Sequence, residues 1–224
     1  MKAAQITEPD KPLELNQIEL SEPTGNQVLL KVMSTGVCHS DLHLWEGGYD
    51  TGDGFMKVTD RGVKFPVTPG HEVVGIVEKI GESVKDVKIG DTFLVYPWIG
   101  CGECSTCKKG DTNLCETPKS LGVFQDGGYA EKVIVPDYKF LANIGELDPD
   151  SASSLACSGL TAYTAIKKAL SNSPESILIV GAGGLGLMGI QLASHMTNCK
   201  IICADIDDQK LNTAKELGAT HVVN

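Results

Sequence analysis

Hydrophobic and polar positions change their pattern at about residue 150. Before that point apolar residues come in short runs between clusters of Gly, Pro and Asp, which is typical of strands joined by turns. The runs that predict strands are residues 28–33, 73–80, 92–96 and 129–135. Residues 49–62 show no clear period and contain three glycines, so we interpret them as an excursion loop.

After residue 150 helical and strand patterns alternate. Residues 151–170 have the Ala and Leu content of a helix. They are followed by a strand (177–180), a helix (185–196), a strand (200–204), a helix (207–217) and the start of a third strand (221–223). Short links between such elements predict a doubly wound parallel sheet. We therefore predict a β-rich domain over residues 1–150 and an α/β domain over residues 151–224.

Composition and charge exclude several classes of partner. The 224 residues are 42% hydrophobic and 21% charged, with a net charge of −10 that opposes binding to nucleic acid or to anionic membranes. The N-terminus is polar and lacks the apolar core of a signal peptide. The most apolar stretch, residues 177–193, is shorter than the ~20 residues of a membrane-spanning helix. We expect a cytoplasmic protein without nucleic-acid or membrane partners.

Four cysteines follow one another within fifteen residues as Cys101-x2-Cys104-x2-Cys107-x7-Cys115. Four thiolates at this spacing can close a tetrahedral shell around one Zn²⁺ and leave no open position. Unrelated thiols and an iron–sulfur cluster are the alternatives, although the fourth cysteine of such clusters usually follows more closely or adjoins a proline. The spacing favours a structural zinc site.

A glycine-rich turn lies between the strand at 177–180 and the next helix. Gly181, Gly183, Gly184 and Gly186 form a dinucleotide-binding fingerprint, in which glycines make the turn, admit pyrophosphate and let the helix pack closely. Asp205 follows nineteen residues after Gly186, where an acidic side chain accepts hydrogen bonds from the adenosine ribose. Its charge would repel a 2′-phosphate, which favours NAD over NADP.

A second motif, Gly70-His71-Glu72-x2-Gly75-x5-Gly81-x2-Val84, gives the first family resemblance. It is similar to the signature of the zinc-containing alcohol dehydrogenases of the medium-chain dehydrogenase/reductase family. The four-cysteine loop also has the spacing of that family, and the resemblance extends over the whole chain. It implies an α/β protein with a GroES-like catalytic domain, followed by a Rossmann-type sheet.

The resemblance also implies a catalytic zinc site and the residues around it. Cys38, His71 and Cys157 would be its ligands, with Glu72 close enough to bind, and a fourth position would stay open for substrate. The resemblance further implies that Asp41 orients His71, that Ser40 takes the alcohol proton and that His43 passes this proton to solvent. For the cofactor it implies that His39 meets the pyrophosphate, that Thr161 touches the nicotinamide and that Lys210 lies near the ribose. Trp98 would be a wall of the substrate pocket. A buried thiol is the alternative for Cys157, and a packing or surface role is the alternative for the other residues.

The implied function is reversible hydride transfer between a primary or secondary alcohol and NAD, with two zinc ions per chain. An aldehyde or semialdehyde reductase, or a polyol dehydrogenase, would carry the same motifs. Two alternatives lie outside the dehydrogenases. One is a non-catalytic sensor of zinc and dinucleotide, and the other is an iron–sulfur electron carrier.

The family resemblance also predicts a longer parent protein. Its dinucleotide domain has six strands, whereas this chain reaches only the third. We expect the 224-residue chain to be inactive or nearly so by itself, and the full-length parent to be a homo-oligomer.

Overall fold

The computed structural model describes all of residues 1–224, which form two compact units, Met1–Ala156 and Cys157–Asn224. None of the eight cysteines forms a disulfide. No helix combines the length and the hydropathy that crossing a membrane would require.

The first unit consists mainly of strands. In chain order they are β1 (Lys2–Gln5), β2 (Glu14–Gln17), β3 (Val28–Gly36), β4 (Gly48–Asp50), β5 (Phe55–Lys57), β6 (Glu72–Ile80), β7 (Thr92–Val95), β8 (Lys132–Val135) and β9 (Leu141–Asn143). The helices of this unit are α1 (His39–Trp45), α2 (Ser105–Lys108) and α3 (Pro149–Ser153), and there are 3-10 turns at Val58–Arg61, Thr112–Leu114, Tyr138–Phe140 and Ser154–Ala156.

Five of these strands form an antiparallel sheet in the order β8-β3-β6-β7-β9. Its buried face carries aliphatic side chains, among them Leu30, Val77 and Val95, each at most 1% exposed. Burial of such a side chain contributes about 1.5–3 kcal/mol relative to exposure. The sheet therefore provides the rigid base of the first unit.

The pairing of β3 with β6 brings two candidate metal ligands, Cys38 and His71, close together in the fold. These strands run antiparallel, and their register places Gly36 opposite Glu72. Cys38 follows the end of β3 as the N-cap of α1, and His71 directly precedes β6. Because an antiparallel pair joins the end of one strand to the start of the other, residues 33 positions apart in sequence become neighbours.

Residues 49–62 are not a wholly irregular loop, and our interpretation of them was wrong. β4 and β5 pair as a short antiparallel hairpin, followed by the 3-10 turn Val58–Arg61. Asp50 Oδ1 accepts the amide of Gly52 at 2.8 Å, and Gly52 adopts a φ of 87°, which glycine tolerates without strain. Two strands of three residues each are too short to show a hydrophobic period, so the pattern missed them.

The second unit is the predicted parallel sheet with its helices. Its elements are α4 (Ser158–Leu170), β10 (Ser176–Val180), α5 (Gly184–Met196), β11 (Lys200–Ala204), α6 (Asp208–Glu216) and β12 (His221–Val223). The strands pair in the order β10-β11-β12, and all pairs are parallel. Ile177, Ile190, Ala193, Ile201 and Leu211 form the centre of its core. The structure confirms a β-rich domain followed by an α/β doubly wound sheet.

The helix expected over residues 151–170 is interrupted. α3 ends at Ser153 and gives way to a 3-10 turn, and Cys157, with φ −124° and ψ −70°, separates it from α4. The hydroxyl of Ser153 donates to the carbonyl of Asp150 at 2.9 Å, and that of Ser154 donates to Ser151. Serine hydroxyls that bond to local carbonyls compete with the regular helix, which is why Ala and Leu content alone overestimated its length.

The glycine turn after β10 depends on close backbone contact. Gly181 has a φ of 92°, in the left-handed region that favours glycine. A Cβ on Gly186 would lie only 1.8 Å from the carbonyl oxygen of Gly181, whereas a Cβ on Gly183 would meet nothing within 4 Å. Gly186, the last glycine of the fingerprint, therefore lets α5 begin against the turn.

We predict that Gly186→Ala destabilises the second unit by about 1–3 kcal/mol, because the methyl group would force the backbone apart. Gly183→Ala is the matched control, and its stability should differ from that of the parent by about 0.5 kcal/mol or less. Guanidinium unfolding followed by circular dichroism measures both variants. Equal unfolding midpoints for the two variants would contradict the proposed close contact.

Candidate functional site

Four cysteine sulfurs meet in the loop around α2. The Sγ atoms of Cys101, Cys104, Cys107 and Cys115 all lie within 4.8 Å of one another, and two of the separations are 4.0 and 3.9 Å. A tetrahedron with Zn–S bonds of about 2.3 Å has edges of about 3.8 Å. These separations fit a shared zinc ion and are far longer than the ~2.05 Å of a disulfide.

Backbone amides support these sulfurs. The amides of Cys104 and Glu103 point at Cys101 Sγ, and they lower the pKa of this thiol to about 6. The amide of Gly102 favours the Cys107 thiolate, but burial and the neighbouring thiols oppose it and raise the pKa of Cys107 to about 12. One loop cannot hold four thiolates without a cation, because they repel one another. The donor set thus fits a bound metal ion.

The second cluster centres on the imidazole of His71, which is fully buried. Its Nδ1 donates to Asp41 Oδ1 at 3.2 Å, and Asp41 also accepts the amides of Cys38 at 2.9 Å and Gly70 at 3.1 Å. Burial lowers the pKa of His71, but the hydrogen bond to Asp41 and the nearby side chain of Cys38 outweigh burial and raise the pKa to about 9. Burial raises the pKa of Asp41, whereas its bonds to His71 and the two amides bring the net pKa below its usual value.

The other ring nitrogen of His71 is the feature that points to a ligand. Its Nε2 is buried and has no hydrogen-bond partner. The ligand atoms of Cys38, His71 and Glu72 lie within 4.8 Å of one another. A Cβ at Gly36 would lie 2.0 Å from Glu72 Oε2, so glycine at this position leaves room for the carboxylate. A buried nitrogen without a partner costs free energy unless a group such as a metal ion satisfies it.

The residues with predicted proton-transfer roles follow on α1. Ser40 and His43 line one pocket together with Trp98, whose ring centroid lies 5.6 Å from that of His71. Ser40 Oγ is 3.7 Å from Cys38 Sγ, and the rings of His39 and His43 lie 4.7 Å apart. The structure thus brings Ser40, His43 and Trp98 to one cavity.

Cys157 and Thr161 belong to the second unit. Cys157 is buried and occupies the N-cap position of α4, and its carbonyl accepts the amide of Thr161 at 2.8 Å. Thr161 is exposed. Their implied roles toward zinc and nicotinamide remain predictions.

The glycine turn and Asp205 are joined directly. Asp205 follows the end of β11, where its Oδ2 accepts the amide of Ala182 at 2.6 Å and its Oδ1 that of Asp207 at 3.0 Å. The Ala182 bond and the Asp207 bond lower the pKa of Asp205, with a smaller contribution from the charge of Lys210. Asp205 therefore remains ionised and fixes the turn that opens α5.

The sequence analysis assigned no role to four residues that lie at or near these sites. Tyr129 donates its hydroxyl to Asp41 at 3.4 Å from 88 positions away, and Glu46 lies 3.3 Å from His43. Tyr49 and Arg61 line the pocket of Ser40, although both lie in the segment interpreted as a loop. Only the i, i+3 spacing of His43 on α1 and Glu46 at the C-cap of that helix could have been read from the sequence.

Comparison with known proteins gives a consistent result. The family model for the alcohol dehydrogenase GroES-like domain matches residues 24–146, and the model for zinc-binding dehydrogenases matches residues 184–224. An NAD-dependent alcohol dehydrogenase of Sulfurisphaera tokodaii is 42% identical over 225 residues, which cover 100% of this chain and 64% of that protein. The chain therefore spans about two thirds of the length of its curated relatives.

Solved structures agree with this similarity. The alcohol dehydrogenase of Aeropyrum pernix superposes with a TM-score of 0.86 at 33% identity, over 100% of this chain and 64% of that one. The D-arabinose dehydrogenase of Sulfolobus solfataricus superposes with a TM-score of 0.85 at 30% identity, over 100% of this chain and 66% of that one.

We predict that Cys104→Ser lowers the zinc content from two equivalents to one per chain and markedly destabilises the first unit. Closed zinc sites supply on the order of 10 kcal/mol of folding free energy in small zinc peptides. Cys199→Ser, at a half-buried cysteine of the second unit outside both clusters, is the control. Elemental analysis and thermal unfolding measure the effect. A folded Cys104→Ser variant that still binds two zinc ions would refute the assignment.

Proposed function

The chain belongs to the zinc-containing alcohol dehydrogenases of the medium-chain dehydrogenase/reductase family, and on this premise we propose that the protein oxidises primary or secondary alcohols reversibly with NAD. The observation that carries the proposal is the buried Nε2 of His71, which has no hydrogen-bond partner. The ligand atoms of Cys38 and Glu72 lie within 4.8 Å of the ligand atom of His71. An imidazole held through Nδ1 by a carboxylate, with Nε2 left to face a metal, is the usual arrangement of a zinc-ligating histidine.

We propose Cys38, His71 and Cys157 as the ligands of the catalytic zinc, with Glu72 able to bind in exchange with water. The role of Cys157 rests on the family resemblance. A zinc ion with three such ligands and an open position acts as a Lewis acid toward the oxygen of an alcohol or a carbonyl group. Asp41 fixes the tautomer and the orientation of His71. Cys101, Cys104, Cys107 and Cys115 would hold the second, structural zinc.

The proton of the alcohol would leave through α1. Ser40 Oγ lines the pocket and is the group that would accept the proton, and His43 on the same wall would release it to solvent. Glu46 supports this role of His43, because its Oε2 lies 3.3 Å from Nδ1 and can hold the orientation of the ring. Trp98 would shape the pocket beside His71.

The dinucleotide would bind at the glycine turn. The exposed residues Gly183 and Gly184 lie at the start of α5, whose N-terminus favours the pyrophosphate. The ionised Asp205 would accept hydrogen bonds from the adenosine ribose and repel a 2′-phosphate, which supports NAD as the cofactor. His39 toward the pyrophosphate, Thr161 toward the nicotinamide and Lys210 toward the ribose complete the proposed contacts.

We further propose that the substrate is a small alcohol or aldehyde, that the protein works in the cytoplasm, and that it assembles into a homo-oligomer at its natural length. Eight cysteines without a disulfide support a reducing compartment. The similarity to a D-arabinose dehydrogenase makes oxidation of a sugar or polyol a second candidate.

We predict that the zinc-loaded protein at its natural length reduces NAD in the presence of simple alcohols. Cys38→Ser should lower kcat/KM by more than about a hundredfold. Replacing a hydrogen-bond partner of a metal ligand already lowers activity by roughly 10–100-fold, and replacing the ligand itself should lower it further. Absorbance of the reduced nicotinamide across a panel of alcohols and polyols measures this, with Cys199→Ser as the control. Failure of the zinc-loaded parent to oxidise any member of the panel would overturn the proposal.

We also predict tighter binding of NAD than of NADP. Asp205→Asn should reduce this preference by about tenfold, because it removes a like charge facing the 2′-phosphate yet keeps an acceptor for the Ala182 amide. Asp205→Gly should lose the preference and also loosen the turn. Calorimetric titration with both cofactors measures these changes, and tighter binding of NADP by the parent would contradict the role of Asp205.

A further inference from the structure

We infer that the pocket beside Ser40 takes an alcohol or aldehyde whose far end carries a carboxylate, and that Arg61 binds this carboxylate. The inference rests on the proposed function, because it takes Ser40 and His43 as the end of the pocket where the hydroxyl reacts. The cavity has a volume of about 260 Å³ and lies wholly within the first unit.

The lining of this pocket combines polar side chains from two parts of the first unit with apolar side chains. Ser40 and His43 supply polar groups from α1, whereas Tyr49 and Arg61 supply them from the hairpin and the 3-10 turn that follows it. Buried aliphatic side chains, including that of Val58, line the remainder. Pockets of this kind bind ligands with an apolar middle through a few placed polar groups. The lining thus matches a short substrate that carries a second polar group besides its reacting hydroxyl.

Arg61 donates a hydrogen bond to Tyr49 but forms no ion pair with an acidic side chain. It ends the 3-10 turn Val58–Arg61, and its Nη1 donates to the hydroxyl of Tyr49 at 3.3 Å. Tyr49 in turn lies against His43, with ring centroids 5.6 Å apart. Arg61 takes part in none of the five salt bridges of the chain. Asp50 and Asp60 belong to the same segment, yet neither lines the pocket.

A guanidinium ion at this place selects the chemistry of the substrate. It offers five donors in a fixed planar fork and no acceptor, and one bond to Tyr49 leaves most of these donors unused. A carboxylate matches the fork through two parallel hydrogen bonds, whereas a polyol hydroxyl also needs acceptors. The cavity is small compared with the ~300–1,000 Å³ of usual ligand pockets, which favours a carboxylate over a bulkier phosphate ester.

The substrate class is therefore a short ω-hydroxy acid or the corresponding semialdehyde. Oxidation would transfer a hydride from the carbinol carbon to NAD, and the hydroxyl proton would pass by way of Ser40 to His43 and then to solvent, which gives the aldehyde and reduced NAD. The carboxylate would stay unchanged and serve only for binding. Arg61 is thus a specificity-determining residue and takes no part in the chemical step.

The test compares 4-hydroxybutanoate with its neutral isostere 4-hydroxybutanamide. In the zinc-loaded protein at its natural length, kcat/KM should be about tenfold or more higher for the acid. Arg61→Gln should remove this preference, mainly by raising KM for the acid, and leave the amide unaffected. Arg61→Lys should retain part of the preference, because it keeps the charge without the fork. Lys64→Gln, at an exposed lysine outside the pocket, removes an equal charge and should change nothing.

Two outcomes separate this inference from the proposed function. Equal turnover of acid and amide, or an equal loss in Arg61→Gln and Lys64→Gln, would overturn the role of Arg61 while alcohol oxidation stands. If no alcohol is oxidised at all, the proposed function fails. Calorimetric binding of 4-hydroxybutanoate to the parent and to Arg61→Gln then decides the subsite alone: binding about tenfold weaker in the variant supports it, and equal binding refutes it. Because Arg61 is exposed, its replacement leaves the core intact.

Discussion

The buried carboxylate of Asp41 accepts hydrogen bonds from groups that come from three separate parts of the chain. These are the amide of Cys38 at the start of α1, the amide of Gly70 and the imidazole of His71 before β6, and the hydroxyl of Tyr129. An ionised group that is 5% exposed would be strongly disfavoured without such partners. The same bonds that satisfy Asp41 therefore fix the backbone on which the candidate metal ligands lie, and they turn Nε2 of His71 away from the carboxylate.

The two metal clusters are built by different physical means. The four cysteines belong to one loop of fifteen residues, whose own amides point at the sulfurs, so the loop needs little from the rest of the fold. Cys38 and His71 depend instead on the register of β3 with β6, which sets Gly36 opposite Glu72. The first arrangement suits a closed site that stabilises a loop. The second suits a site that the sheet holds rigid while one position stays accessible to a substrate.

Features that depend on local sequence were predictable. The strand at 28–33, the strand–helix alternation after residue 150, the four-cysteine spacing and the glycine turn before α5 each follow from neighbouring residues, and the structure has them all. Local rules failed where elements were very short or where side chains competed with the helix. The hairpin of β4 and β5 has three residues in each strand, and the hydroxyls of Ser153 and Ser154 bond to the carbonyls of the preceding turn.

By itself, the sequence determined the class of fold, the closed cysteine site and the position of the dinucleotide turn, because hydrophobic period, ligand spacing and glycine content act over a few residues. The tertiary structure decided which distant side chains meet. No spacing rule joins Tyr129 to Asp41 across 88 positions, and none places Arg61 in the pocket of Ser40. Such contacts arise from strand register and core packing, which depend on many residues at once and leave no periodic trace in any single segment.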